Sequence, residues 1–157
     1  MEDNADMTEQ TCTPSSSMRP RITLYSHDTM GLGHIRRNTL IAQTLIQPPL
    51  SAQVLLVSGI RESGAFALPP GIDSITLPAY RKRPDGNYTA RALDMPLEQL
   101  VALRSQTILA ALTAFAPQLL IVDNVPRGAL SELDTVLPTI RARGTHIVLG
   151  LRDIIDT

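Results

Sequence analysis

The 157-residue chain has one cysteine, no tryptophan, two phenylalanines and three tyrosines, and its 14 basic and 15 acidic side chains nearly cancel. Each scarcity excludes something. A single thiol, Cys12, permits neither an intramolecular disulfide nor a cysteine metal cluster. So few aromatics leave little to stack on bases, and apart from Arg36-Arg37 and Arg81-Lys82-Arg83 the cations are scattered, which argues against a nucleic-acid partner. No run approaches the ~18 apolar residues of a membrane span. The N-terminus MEDNADMTEQTCTPSSS lacks the basic start and apolar core of a signal peptide, so a cytoplasmic location is expected. Residues 1–18 are acidic, Ser/Thr-rich and poor in large apolar side chains, and they read as a disordered leader, with Met18 an alternative translation start.

The whole chain is 43% hydrophobic, ample for one core over residues 19–157. Nearly continuous apolar runs at Arg21 to Ser26, Gln53 to Ser58, Ser74 to Pro78, Leu119 to Asp123 and His146 to Leu151 lack period-2 alternation, as expected of parallel strands covered on both faces. Between them lie helical patterns: His34 to Ile46, stopped by Pro48-Pro49; Leu97 to Phe115, stopped by Pro117; and Ser131 to Arg143, closing at Gly144. The alternation predicts an α/β fold, a Rossmann-like doubly wound and mostly parallel sheet with right-handed crossovers. Ligands of such sheets sit outside the carboxyl ends of the strands, so candidate residues lie just after each run.

The first of those loops is the richest. Its sequence YSHDTMGLGH carries His27, Asp28, Gly31, Gly33 and His34 between a strand and a helix. A dinucleotide fingerprint would need a third glycine where Arg36 stands and an acidic residue at the end of the second strand, where Ser58-Gly59 stands. No Walker A sequence is present. A helix N-terminus after a glycine turn still offers N–H groups and partial positive charge to an anion or a sugar hydroxyl. Arg36 and Arg37 in the first turn oppose the helix dipole, so they are expected to meet an anionic ligand, to pair with Asp28 or Glu62, or to point into water. His34 can serve as general base toward a hydroxyl, with His27 a second imidazole and Asp28 an orienting carboxylate. His27, Asp28, His34, Asp123 and Asp153 show no metal-binding spacing, so no metal is expected.

Asp123 ends the strand LLIVD on the same edge, a candidate second base or orienter, or a cap of the following turn. Arg104 falls on the apolar face of the long helix, where a charge must be paired or snorkel; Asp123 or Asp94 is the expected partner, and contact with the acceptor is the other reading. Arg152 and Asp153 follow the last strand. The connection Ala79 to Arg91 reads as a solvated turn around Pro84-Asp85-Gly86 whose Arg81, Lys82 and Arg83 can alternatively meet an anionic acceptor or an acidic membrane surface.

The segments LYSHDTMGLGHIRRN, LLVSG, FALPPG, LLIVDNVPRG and VLGLRDIID, spread over residues 19–157, resemble a group of predicted bacterial glycosyltransferases. These are similar in outline to the GT-B, family 28-like enzymes that add GlcNAc to the lipid-linked peptidoglycan precursor. The resemblance implies an N-terminal domain that binds a sugar or lipid-linked acceptor, and a second domain that binds the nucleotide-sugar donor as a substrate, with no further cofactor. His34 matches the histidine closing the family's glycine loop, a candidate catalytic base, and Gly31 and Gly33 match its glycines. Against that family the chain is expected to be truncated, without the donor domain, and inactive alone. Three functions stay open: the acceptor-side domain of a hexosyl transferase, the non-catalytic acceptor subunit of a split transferase with a separate donor chain, and a small-molecule phosphoesterase using His27, Asp28 and Asp123.

Overall fold

A computed structural model describes residues 18–27, 33–60 and 67–151. Five strands, β1 (Arg21–Ser26), β2 (Gln53–Ser58), β3 (Ile72–Thr76), β6 (Leu119–Asp123) and β7 (His146–Gly150), form one parallel sheet in the order β3-β2-β1-β6-β7. Helix α1 (Gly33–Leu45) covers one face, packing Ile35 and Ala42 on Ile22, Leu24, Val54, Leu56 and Ile72. Helices α2 (Leu97–Phe115) and α3 (Val136–Ala142) cover the other, where Ile108, Leu112, Val136 and Ile140 meet Tyr25, Val57, Leu120 and Val122. Successive residues of a strand point to opposite faces, so Leu24 joins the first layer and Tyr25 the second. Two-sided burial is why the strands read as unbroken apolar runs, and residues 22–26 of the central β1 are all buried.

The doubly wound α/β arrangement follows the expectation, as do β1, β2, β6 and α2 residue for residue. Ala116 ends α2 in the left-handed region, its N–H donating to Leu112 O, before Pro117. The other elements differ in their bounds, α1 by one residue at each end. β3 begins at Ile72, ahead of the expected Ser74, because Gly71 (φ 98) turns the chain into line and its carbonyl accepts Val54 N–H. The expected helix from Ser131 is a 3-10 turn (Ala129–Ser131) followed by a seven-residue α3, since Leu130 (φ 49) and Ser131 (φ 63) cannot continue a right-handed helix. β7 is an edge strand of the described sheet, so it is not covered on both faces and leaves Val148 and Leu149 exposed.

The connection read as a solvated turn is a hairpin: β4 (Tyr80–Lys82) pairs antiparallel with β5 (Tyr88–Ala90), with Gly86 at φ 85 and Arg83 N–H donating to Asn87 O. Tyr80 is buried and its ring meets Tyr88 edge-on, while Arg81, Lys82 and Arg83 are exposed. No helix among the described residues is long and apolar enough to cross a membrane. The packing predicts that Leu120→Ala, at a fully buried site of β6, lowers unfolding free energy by about 2–5 kcal/mol. Leu103→Ala, on the exposed side of α2, should change it by less than about 0.5 kcal/mol. Equal urea midpoints for the two variants would show that Leu120 is not a core residue.

Candidate active site

The chain leaves β1 toward β2 on one side and returns to β6 on the other, so the carboxyl edge between β1 and β6 is the switch point where sheets of this kind have their ligand crevice. His34, the second residue of α1, comes from the β1 side, and Asp123 is the last residue of β6. Their side chains meet there: His34 Nδ1 lies 2.6 Å from Asp123 Oδ2, the imidazole 12% and the carboxylate 3% exposed. Asp123 Oδ1 lies 3.3 Å from Arg37 Nη1, within ion-pair range, and makes no hydrogen bond among the described residues. Arg37 also donates from Nη2 to Leu151 O at 3.1 Å. The spacing of three between His34 and Arg37 puts both on one side of the helix, so one buried carboxylate serves an imidazole and a guanidinium. The His27 ring meets His34 edge-on, with centroids 5.0 Å apart.

No family model and no curated protein matches the chain.

Its chemistry is therefore read from the residues. With Asp123 accepting from Nδ1–H, the lone pair of His34 resides on Nε2, the nitrogen remote from the carboxylate. A carboxylate that fixes the tautomer and stabilises the imidazolium is the arrangement of a general base. The structure thus brings together His34, Asp123, His27 and Arg37. It also gives Arg37 a negative partner, Asp123, that the sequence did not suggest; the expected partners Asp28 and Glu62 lie outside the described residues. Arg36 is exposed. Gly33 opens α1, and a Cβ there would meet nothing within 4 Å. Asp28, Gly31, Glu62, Arg152 and Asp153 lie outside the described residues, as does all of the leader but Met18. Among the described residues no group of three His, Cys, Asp or Glu side chains could hold a metal ion.

Arg104 is fully buried and paired, as a charge on the apolar face must be, but its partner is Glu132, itself 1% exposed, where Asp123 or Asp94 was expected. Arg104 donates from Nε to Glu132 Oε2 at 2.5 Å, from Nη2 to Oε1 at 2.7 Å and from Nη1 to Pro78 O at 2.6 Å. The Tyr25 hydroxyl also donates to Oε1, and the Tyr80 hydroxyl to Oε2 at 2.9 Å, while the guanidinium stacks 4.3 Å from the Tyr80 ring centroid. Sequence reasoning missed Glu132, Tyr25 and Tyr80. Arg104 on an apolar face demanded an anion, but Glu132 lay in a stretch read as helix with no sign that its carboxylate is buried.

Burial first, then the Glu132 charge, pushes both the Tyr25 and Tyr80 hydroxyls well above their ordinary value of about 10. For Arg104 burial acts downward, but hydrogen bonds and charge from Glu132 outweigh it and raise the guanidinium. A raised tyrosine keeps its proton in the folded state when the unfolded chain has lost it. Stability is therefore intact below pH ~10 and falls above it, by about 1.4 kcal/mol per pH unit for each such tyrosine. Alkaline unfolding of Tyr25→Phe should show a shallower fall than wild type; parallel slopes would mean that Tyr25 is not held protonated by the fold.

Proposed function

We propose that this chain is the acceptor-binding domain of a nucleotide-sugar-dependent glycosyltransferase that transfers a hexosyl group, with His34 as its base. The observation that carries the reading is the 2.6 Å pairing of His34 with a largely buried Asp123 in the crevice where α/β sheets take their ligands. The motif resemblance of the glycine loop and of LLIVDNVPRG, which contains Asp123, points the same way. In this reading the acceptor hydroxyl gives its proton to His34 Nε2 as its oxygen bonds to the anomeric carbon. The bond from that carbon to the phosphate oxygen breaks, and the electron pair leaves with the nucleoside diphosphate. Asp123 steadies the imidazolium, and Arg37 balances the carboxylate.

The donor is a substrate held mainly by a second domain across the same crevice, whether that domain is in the same polypeptide or a separate chain. Arg81, Lys82 and Arg83, exposed on the hairpin, would face an anionic acceptor or the acidic membrane surface that carries it.

The test assembles the chain with its donor-binding domain and measures sugar-nucleotide consumption over a panel of hydroxyl acceptors. His34→Ala should slow turnover by about 10²–10⁴-fold, with Asp123→Asn intermediate. Undiminished turnover in His34→Ala would remove the base assignment. Acceptor binding without turnover would make the chain a non-catalytic subunit, and phosphoester hydrolysis lost in Asp123→Asn would replace transfer with hydrolysis.

A further inference from the structure

The connection from β6 to α3 is bent in an unusual way. Asn124 (φ 62), Gly128 (φ 70), Leu130 (φ 49) and Ser131 (φ 63) all lie in the left-handed region. Only glycine enters that region without steric cost, so a conformation using Leu130 and Ser131 there persists only when something outside the segment enforces it. Several contacts hold the segment, among them Leu133 N–H to Arg127 O and Arg127 to Asp134, and the one that comes from outside it across the core is the Tyr25 hydroxyl. It accepts the Ala129 N–H at 3.2 Å and donates to Glu132 Oε1. It also fills the space beside Gly128, where a Cβ would come within 2.7 Å of the Tyr25 oxygen.

From that clamp a short relay of backbone hydrogen bonds runs to the candidate active site. Gly128 N–H donates to Val125 O at 2.9 Å, and Val125 N–H donates to Asp123 O at 2.7 Å. Asp123 is the residue whose carboxylate meets His34. Glu132 in turn is held by Arg104 at both oxygens, so the Tyr25 hydroxyl has a fixed acceptor.

We infer that Glu132, acting through the Tyr25 hydroxyl, is a positioning residue for the His34–Asp123 pair, holding the Asn124–Ser131 turn in the form that aims Asp123 at His34 Nδ1. Its functional meaning rests on the proposed role of that pair as the base. In this inference the buried Arg104–Glu132 cluster acts through the turn.

Two buried hydroxyls on the same carboxylate supply an internal control. Tyr25 and Tyr80 each donate to Glu132, but only Tyr25 also accepts from the turn. The experiment follows the low-field proton resonance of His34 Nδ1–H in the full chain without substrate, assigned by its loss in Asp123→Asn, together with thermal unfolding of each variant. Tyr25→Phe and Tyr80→Phe should both melt lower and stay folded. Only Tyr25→Phe should speed exchange of the Nδ1 proton with solvent, by about tenfold or more, the scale of one lost hydrogen bond. Unchanged exchange in Tyr25→Phe, equal acceleration in Tyr80→Phe, or a Tyr25→Phe chain that does not fold would each overturn the inference. Because no substrate is present, absence of sugar transfer leaves this result standing. Conversely, loss of transfer in His34→Ala with unchanged exchange in Tyr25→Phe would keep the base and remove the positioning role.

Discussion

A guanidinium and a carboxylate placed together inside an apolar layer must satisfy each other completely, because either charge left alone there would cost more than the fold can carry. Arg104 and Glu132 meet that demand with two hydrogen bonds between them, and Tyr25, Tyr80 and the Pro78 carbonyl take up the remaining valences. The partners come from β1, the link after β3, β4, α2 and the connection before α3. Once the pair is buried, those five segments have one way to meet, and that meeting point lies behind the carboxyl edge on which His34 and Asp123 stand.

The same edge explains why the loop after β1 resembles a phosphate cradle without reproducing one. Arg37 occupies a position from which a cation could reach an anionic ligand, yet its charge is already committed to Asp123. What the crevice presents is an imidazole oriented by a carboxylate whose charge is balanced from within. That combination suits proton removal from a neutral hydroxyl better than capture of a phosphate.

Much of the fold was legible because two-sided burial writes itself into a strand: β1, β2 and β6 are unbroken apolar runs, and α2 carries a clean stop at Ala116-Pro117. α3 was not, since the left-handed residues Leu130 and Ser131 have no compositional mark, and the Tyr25 hydroxyl that meets Ala129 and Glu132 on either side of them is far away in sequence. The hairpin from Tyr80 to Ala90 was disguised by its cations, although Pro84-Asp85-Gly86 between Tyr80 and Tyr88 was a readable signal. Of the candidate site, strand order placed His34 and Asp123 on one edge, but their direct contact joins residues 89 positions apart, and no local pattern encodes it. Arg104 declared that it needed a partner without declaring which one.

The central place of β1 sets the order in which this molecule can come together. One side of β1 finds β2 soon after both have left the ribosome, whereas its other side waits for β6, and Tyr25 waits for Glu132, 107 positions later. Until then a strand buried on every side in the finished protein keeps an open edge and a bare apolar face. Contacts of such long range make for slow folding and prolonged exposure to misassembly. The residues that build the crevice are thus among the last to meet, and the yield of folded chain depends on how long β1 can wait.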